Sequence, residues 1–241
     1  MKKIHYFLGV INSICIILVC LFIAVWLPAF TPVFYSLQYE RNNTYSKINI
    51  SEQDLMDVTK HMLRYMRGEE KSLQITATVD GVYREFFSQR ELEHMSDVRK
   101  LFDTGFIILI ISVSLIVCTV LLLALLRATP FYVIARTNQI VLSCFLAALI
   151  IFTGFVSLNF EQAFVIFHEI FFSNDYWILN PQIDLLINIV PLQFFISISI
   201  VISVIFVTLI FLTLISSIFI AKKYNNKNMP LEVFLKKQHR R

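Results

Sequence analysis

Two histidines far apart along this sequence stand out, His168 in an aromatic-rich stretch and His94 in a segment that leads into an apolar run. An imidazole titrates near neutrality, so it can take a proton from one group and return it to another without a metal or organic cofactor. The plain alternative for each is a structural imidazole satisfied by one polar contact. The other histidines offer less: His5 flanks an apolar run, His239 lies in a basic tail, and His61 falls on the polar side of an amphipathic segment. A metal reading would draw on His94, Asp97, His168, Glu169 and Asp175. The stretch His168-Glu169-Ile170-Phe171-Phe172 approaches H-E-x-x-H, but Phe172 stands where the second zinc-binding histidine is required. No G-x-S-x-G, G-x-x-x-x-G-K or G-x-G-x-x-G occurs, so neither a serine elbow nor a phosphate-cradling loop is expected. Cys15, Cys20, Cys118 and Cys144 all fall inside apolar runs and read as small hydrophobes.

The elements that must carry these histidines are membrane helices. Of 241 residues 57% are hydrophobic and only 16% charged, and the excess is gathered into long runs, which excludes a soluble enzyme, a disordered chain and a collagen-like repeat. Four segments meet the requirement of about 20 apolar residues: 7–30, 106–126, 139–158 and 194–221, none containing Asp, Glu, Lys or Arg. The first is read as a retained helix, because it ends in Trp26, Pro28 and Phe30 without a small-residue cleavage site. Basic residues set the orientation. Lys2, Lys3, Arg127, Arg136, Lys222, Lys223, Lys227, Lys236, Lys237, Arg240 and Arg241 share one set of flanks with the single acid Glu232, whereas every other acid lies on the opposite flanks. Both termini are therefore expected in the cytoplasm. The layout is a cytoplasmic N-terminus (1–6), an extracytoplasmic domain (31–105), a cytoplasmic loop (127–138), an outer interfacial loop (159–193) and a basic cytoplasmic tail (222–241). The tail reads as an anchor beside anionic lipid, and no nucleic-acid partner is expected.

The 31–105 segment predicts a small α+β domain. Ser51-Glu52-Gln53-Asp54 resembles a capping box that opens an amphipathic helix with Leu55, Val58, Met62, Leu63 and Met66 on one side, ended by Gly68. Residues 73–79 alternate as a strand, Asp80-Gly81 supplies a hairpin turn, and 82–87 returns. Ser88-Gln89-Arg90-Glu91 is a second capping box, from which helix runs through His94 into the second span. His94 then stands roughly 18 Å of helix above the apolar start at Phe106. In the outer loop, residues 160–177 carry five Phe, one Tyr and one Trp around His168, a composition suited to a short helix at the outer interface. His94 and His168 can thus reach one outer-leaflet pocket.

At these residues the chain resembles the lipoprotein intramolecular transacylase (Lit) family of bacterial integral membrane proteins. The likeness is sharpest over Phe87-Ser88-Gln89-Arg90-Glu91-Leu92-Glu93-His94-Met95-Ser96-Asp97-Val98, and over Phe167-His168-Glu169-Ile170-Phe171-Phe172 through Asp175, Trp177, Pro181 and Asp184. The fold class expected is membrane α-helical, with four transmembrane helices and a small α+β extracytoplasmic domain between the first two.

The resemblance implies an acyltransferase of the bacterial cell membrane acting on diacylated lipoproteins, with membrane lipid around it, no cofactor, and its active site at the outer leaflet. It would move the sn-2 acyl chain of a diacylglyceryl-cysteine to the α-amine of that cysteine, leaving an N-acylated lyso-form lipoprotein. His94 and His168 would be the catalytic pair, one accepting the amine proton while the other protonates the leaving glycerol oxygen or orients the first. Either assignment, and a covalent acyl-histidine, are compatible with the sequence. Asp97, one turn from His94, can orient it. Glu91 reads as a cap, Arg99 as a partner for substrate carbonyls or headgroups, and Glu169, Asp175, Trp177 and Asp184 as supporting residues of the His168 loop. The competing classes are a non-enzymatic membrane receptor or accessory subunit, and a lipid esterase that would release fatty acid.

Overall fold

The computed structural model describes residues 3–227. The end of the basic tail, with Lys236, Lys237, Arg240 and Arg241, lies outside the described residues. The chain runs α1 (Lys3–Ala29), α2 (Pro32–Arg41), α3 (Thr44–Lys47), α4 (Glu52–Met66), β1 (Thr76–Val79), β2 (Val82–Glu85), α5 (Gln89–Leu125), α6 (Pro130–Leu158), α7 (Phe160–Phe171), α8 (Leu186–Ile189) and α9 (Leu192–Lys227). Among the described residues, α1, α5, α6 and α9 are the four helices long and apolar enough to cross a membrane. Much of the 127–138 segment is helical, because Pro130 starts α6 at a position where its missing N–H costs no helical hydrogen bond.

The chain divides into two compact units. One comprises residues up to Leu21, Leu109–Phe152 and the chain from Ile205 onward. Polar side chains stitch its helices together where apolar surface gains little by leaving lipid. Asn12 Nδ2 donates to Thr119 Oγ1 at 2.6 Å, Ser13 Oγ donates to Asn138 Oδ1 at 2.7 Å, and Asn138 Nδ2 donates to Ser217 Oγ at 3.1 Å. Gly9 permits the tight approach of α1 to α6, since a Cβ there would come within 2.7 Å of Thr137.

The other unit comprises Phe22–Ile108 and Thr153–Val204. Ser51 caps α4 by accepting the Asp54 N–H at 3.0 Å, and Gly68 follows the helix at φ +80°, a conformation that favours glycine. The apolar face of α4 packs Leu55, Val58, Met62 and Leu63 into a core shared with Tyr39, Val79, Phe86, Ile189 and Phe194. β1 and β2 pair antiparallel with Val79 opposite Val82, so Asp80 and Gly81 form a two-residue turn at φ 54° and 75°, as a type I′ hairpin demands. The strands are shorter than the alternation over 73–79 and 82–87 suggests. Phe86 and Phe87 turn their rings into the core just past β2, while Phe86 N–H still donates to the Ile75 carbonyl at 2.9 Å.

Leu55 is fully buried in this core, whereas Val82 on the hairpin is 58% exposed. Leu55→Ala is expected to destabilise the protein by about 2–5 kcal/mol, and Val82→Ala to change stability by no more than about 0.5 kcal/mol. Thermal unfolding of the two variants in detergent checks the contrast.

Candidate active site

The site is built from two pieces of chain, the first turns of α5 and the segment from α7 to α8. Ser88 and Glu91 form a reciprocal cap on α5: Ser88 N–H donates to Glu91 Oε2 at 2.6 Å, and Glu91 N–H donates to Ser88 Oγ at 3.3 Å. Glu91 does more than cap. It has no exposed surface, and its Oε1 also accepts the Leu186 N–H at the start of α8. Burial pushes its carboxyl above the usual range, against the lowering effect of the N–H donors from Leu186 and Ser88. Ser88 Oγ donates in turn to Asp184 Oδ1 at 2.8 Å, and Asp184 Oδ2 accepts the Asn180 N–H at 2.8 Å. Glu91 and Asp184 therefore tie α5 to the loop before α8.

One turn beyond Glu91, α5 presents His94, only 9% exposed; α7 presents His168, 6% exposed. Their ring centroids lie 6.0 Å apart with the planes inclined by 35°. The Phe172 ring touches both, at 5.3 Å from His94 and 5.5 Å from His168. Phe164 at 4.2 Å, Trp177 at 4.9 Å and Phe167 at 5.5 Å complete an aromatic cage around His168. The His168 Nδ1 lies 2.7 Å from the Phe164 carbonyl oxygen. A carbonyl can only accept, so Nδ1 carries the proton and Nε2 of the neutral ring keeps its lone pair. Neither ring nitrogen of His94 has a hydrogen-bond partner among the described residues.

Both imidazoles are held toward the neutral form. Burial lowers His94 to about 4, helped by the charge His168 would carry and opposed by Asp97. Burial also lowers His168 below the ordinary histidine value, against the opposing Phe164 hydrogen bond. Asp97 does not bond His94: its Oδ1 takes Lys100 Nζ at 2.8 Å and its Oδ2 takes Asn174 Nδ2 at 2.8 Å. These donors, Lys100 first, hold its carboxyl below the usual range.

The other candidates divide. Trp177 packs on His168. Asp175 is exposed and contributes only its backbone carbonyl to the described contacts, while Glu169 faces outward beside the cage. Arg99 serves the core unit instead: its guanidinium sits 4.8 Å over the Tyr65 ring and donates to the Glu70 carbonyl at 2.9 Å. Among the described residues no three His, Cys, Asp or Glu side chains come together as a metal-binding group.

Sequence reasoning missed Arg90 and Asn174. Arg90 donates Nε to the Ile178 carbonyl at 3.0 Å and Nη2 to the Asp175 carbonyl, bracketing Trp177 from one turn before His94. Asn174 bridges the same loop to Asp97. The available signal was Arg90 inside the capping box, one helical turn from a candidate histidine.

A family model described as lipoprotein intramolecular transacylase Lit matches residues 10–195. Three solved structures of the membrane-integral Lit from Bacillus cereus share the fold. One is 16% identical with a TM-score of 0.72 over 93% of this chain and 99% of its own. A second, with one histidine changed to arginine, is 17% identical with a TM-score of 0.71 over 93% and 95%. A third, with a histidine changed to alanine, is 17% identical with a TM-score of 0.70 over 92% and 96%. No curated protein matches the sequence.

If Arg90 fixes the 175–178 turn, Arg90→Ala in a Trp26→Phe background, where Trp177 is the only tryptophan, should lower the fluorescence anisotropy of Trp177 and shift its emission to the red. Arg90→Lys should move both in the same direction, because an ammonium cannot reproduce the guanidinium fork. Unchanged anisotropy in both variants would show that the turn is held by other contacts.

Proposed function

The chain belongs to the lipoprotein intramolecular transacylase (Lit) family, and from that premise we propose that it moves the sn-2 acyl chain of a diacylglyceryl-cysteine lipoprotein onto the α-amine of the same cysteine, using His94 and His168 as the proton-transfer pair. The observation carrying this reading is the pair of buried imidazoles at 6.0 Å, one with its Nδ1 held by a backbone carbonyl. That the solved relatives include forms altered at a histidine supports the same chemistry.

An α-amine titrates near 7.7–8.0, so much of it is protonated at neutral pH and must be freed before it can attack. The free amine is the reacting form, its ammonium proton having passed to solvent, and on this reading His168 Nε2 accepts the next proton, since Nδ1 is committed to the Phe164 carbonyl. The amine nitrogen bonds to the ester carbonyl carbon, the bond from that carbon to the glycerol oxygen breaks, and the proton that nitrogen sheds as it is acylated ends on that oxygen through His94. Counted from the free amine, no net proton or electron is gained or lost. Amine and ester sit on one molecule, so the protein supplies mainly orientation, which can be worth several kcal/mol. Phe164, Phe167, Phe172 and Trp177 exclude the water that would hydrolyse the ester. The charge bias supports cytoplasmic termini and a site at the outer leaflet of the bacterial cell membrane.

Transfer within one molecule leaves its mass unchanged. Tandem mass spectrometry of a reporter lipoprotein incubated with the protein is therefore expected to show an intact mass equal to the substrate's and a fragment carrying N-acylated cysteine. Release of free fatty acid with loss of one acyl mass would establish an esterase instead, and no change in either would leave a receptor or accessory subunit. His94→Gln and His168→Gln should each lower kcat by about 10²–10⁴-fold.

The pH profile carries a sign. The reacting state needs a neutral amine and a neutral histidine, so log(kcat/KM) should fall with unit slope as pH drops below about 7.7. It should steepen to a slope of two only once the histidine protonates. Both histidines are lowered by burial, so that second break is expected below pH 6.5. A second break at or above 6.5 would contradict the neutral-pair reading.

A further inference from the structure

Resting on the transacylase reading, we propose that the cleft between α5 and the turn after α7 admits the glyceryl diester of the lipid-modified substrate and holds it beside the two histidines. The cleft measures about 220 Å³ and runs along α5 from Asp97 to Thr104, opposite Phe171 to Asn174. Its end at Phe172 is continuous with the site, because that ring touches both imidazoles. Its other end lies at Thr104, just before the apolar run of α5 opens at Phe106. Over those seven positions the helix rises roughly 10 Å, which bridges the gap between the imidazoles and the start of the lipid-facing segment.

The lining matches an ester on an apolar chain. Lys100 on the α5 wall and Ser173 and Asn174 on the facing wall keep N–H or O–H donors beyond those given to Asp97, and ester carbonyls are acceptors only. Leu101 on one wall and Phe171 and Phe172 on the other add apolar surface, suited to the first methylenes of an acyl chain. The volume holds about seven water-sized groups, enough for the glyceryl diester core but not for whole acyl chains, which would extend past Phe171, a residue 51% exposed. The Asp97–Asn174 bond holds the two walls in register across the cleft.

The test fills the cleft from each wall with Thr104→Phe and, separately, Ser173→Phe, both side chains being exposed and outside the core. Two probes are compared in detergent: diacylglyceryl-cysteine amide without any peptide, and the same cysteine followed by a long peptide. Each variant is expected to raise KM about ten-fold for both probes and to change kcat less. A KM that stays at the wild-type value for the peptide-free probe overturns the proposal. A rise seen only with the longer probe overturns it too, by giving the cleft to polypeptide. A turnover-independent arm uses the wild-type protein and a lipopeptide bearing a diazirine on the first carbons of its acyl chain. Cross-links are expected within 97–104 or 171–174, and labelling confined to other segments overturns the proposal even if the filled variants fail to fold. Absence of N-acyl product from the wild-type protein with both probes would instead overturn the transacylase reading beneath it.

Discussion

Two imidazoles buried side by side cannot both be charged, and that constraint organises the site. Water is withdrawn from each ring, a positive charge on one disfavours a charge on the other, and no carboxylate touches either. The pair is therefore neutral around pH 7, poised to receive a proton rather than to donate one. The Phe164 carbonyl then decides which nitrogen of His168 receives it. This bond lies within α7, four residues back along the helix, so the tautomer is set by local helical geometry and survives movements of the surrounding loops.

The rest of the unit answers the difficulty of holding rings from distant parts of the chain in one geometry. α5 is the rigid member, and the 172–189 segment is fastened to it at three levels. Glu91 and Ser88 take Leu186 and Asp184, Arg90 takes the carbonyls of Asp175 and Ile178, and Asp97 takes Asn174. All three levels use residues within about two turns of His94, so a long and mostly irregular segment is registered against the same helix that carries one of the reacting groups. Glu91 tolerates complete burial because N–H donors from two backbone segments converge on it, replacing the water it loses.

The four apolar runs, the amphipathic α4 helix, the Asp80-Gly81 turn and the two histidines were legible in the sequence because each rests on local rules: run length, helical period, turn chemistry and the scarcity of titratable groups in apolar surroundings. The helix α2 was not. It is held by the Tyr39 hydroxyl, bonded to Thr59 of α4, and by the Tyr35 ring, packed on Phe194 at the start of α9, and a sequence does not display partners that the fold brings from elsewhere. The partners of Arg99 were hidden for the same reason: the Tyr65 ring and the Glu70 carbonyl, both distant in sequence, lie against its guanidinium. Arg90 and Asn174 act through backbone carbonyls and one shared carboxylate from distant parts of the chain, so the only sequence signal was the place of Arg90 one turn before His94.

Asp97 shows why the arrangement differs from a carboxylate–histidine pair. A carboxylate bonded to an imidazole stabilises the imidazolium and raises its pKa, which helps when the histidine must hold a proton taken from a weakly acidic hydroxyl. An ammonium is far more acidic than a hydroxyl, so on the proposed reaction a histidine of modest basicity suffices. A strongly basic one would reach the active site already protonated and inert as an acceptor. Asp97 stands one turn from His94, close enough to favour its charge, yet both its oxygens are engaged by Lys100 and Asn174. The Asn174 bond that holds the loop in register thus joins the Lys100 bond in withholding the carboxylate from the imidazole, and the positioning of the site and its proton affinity share a contact.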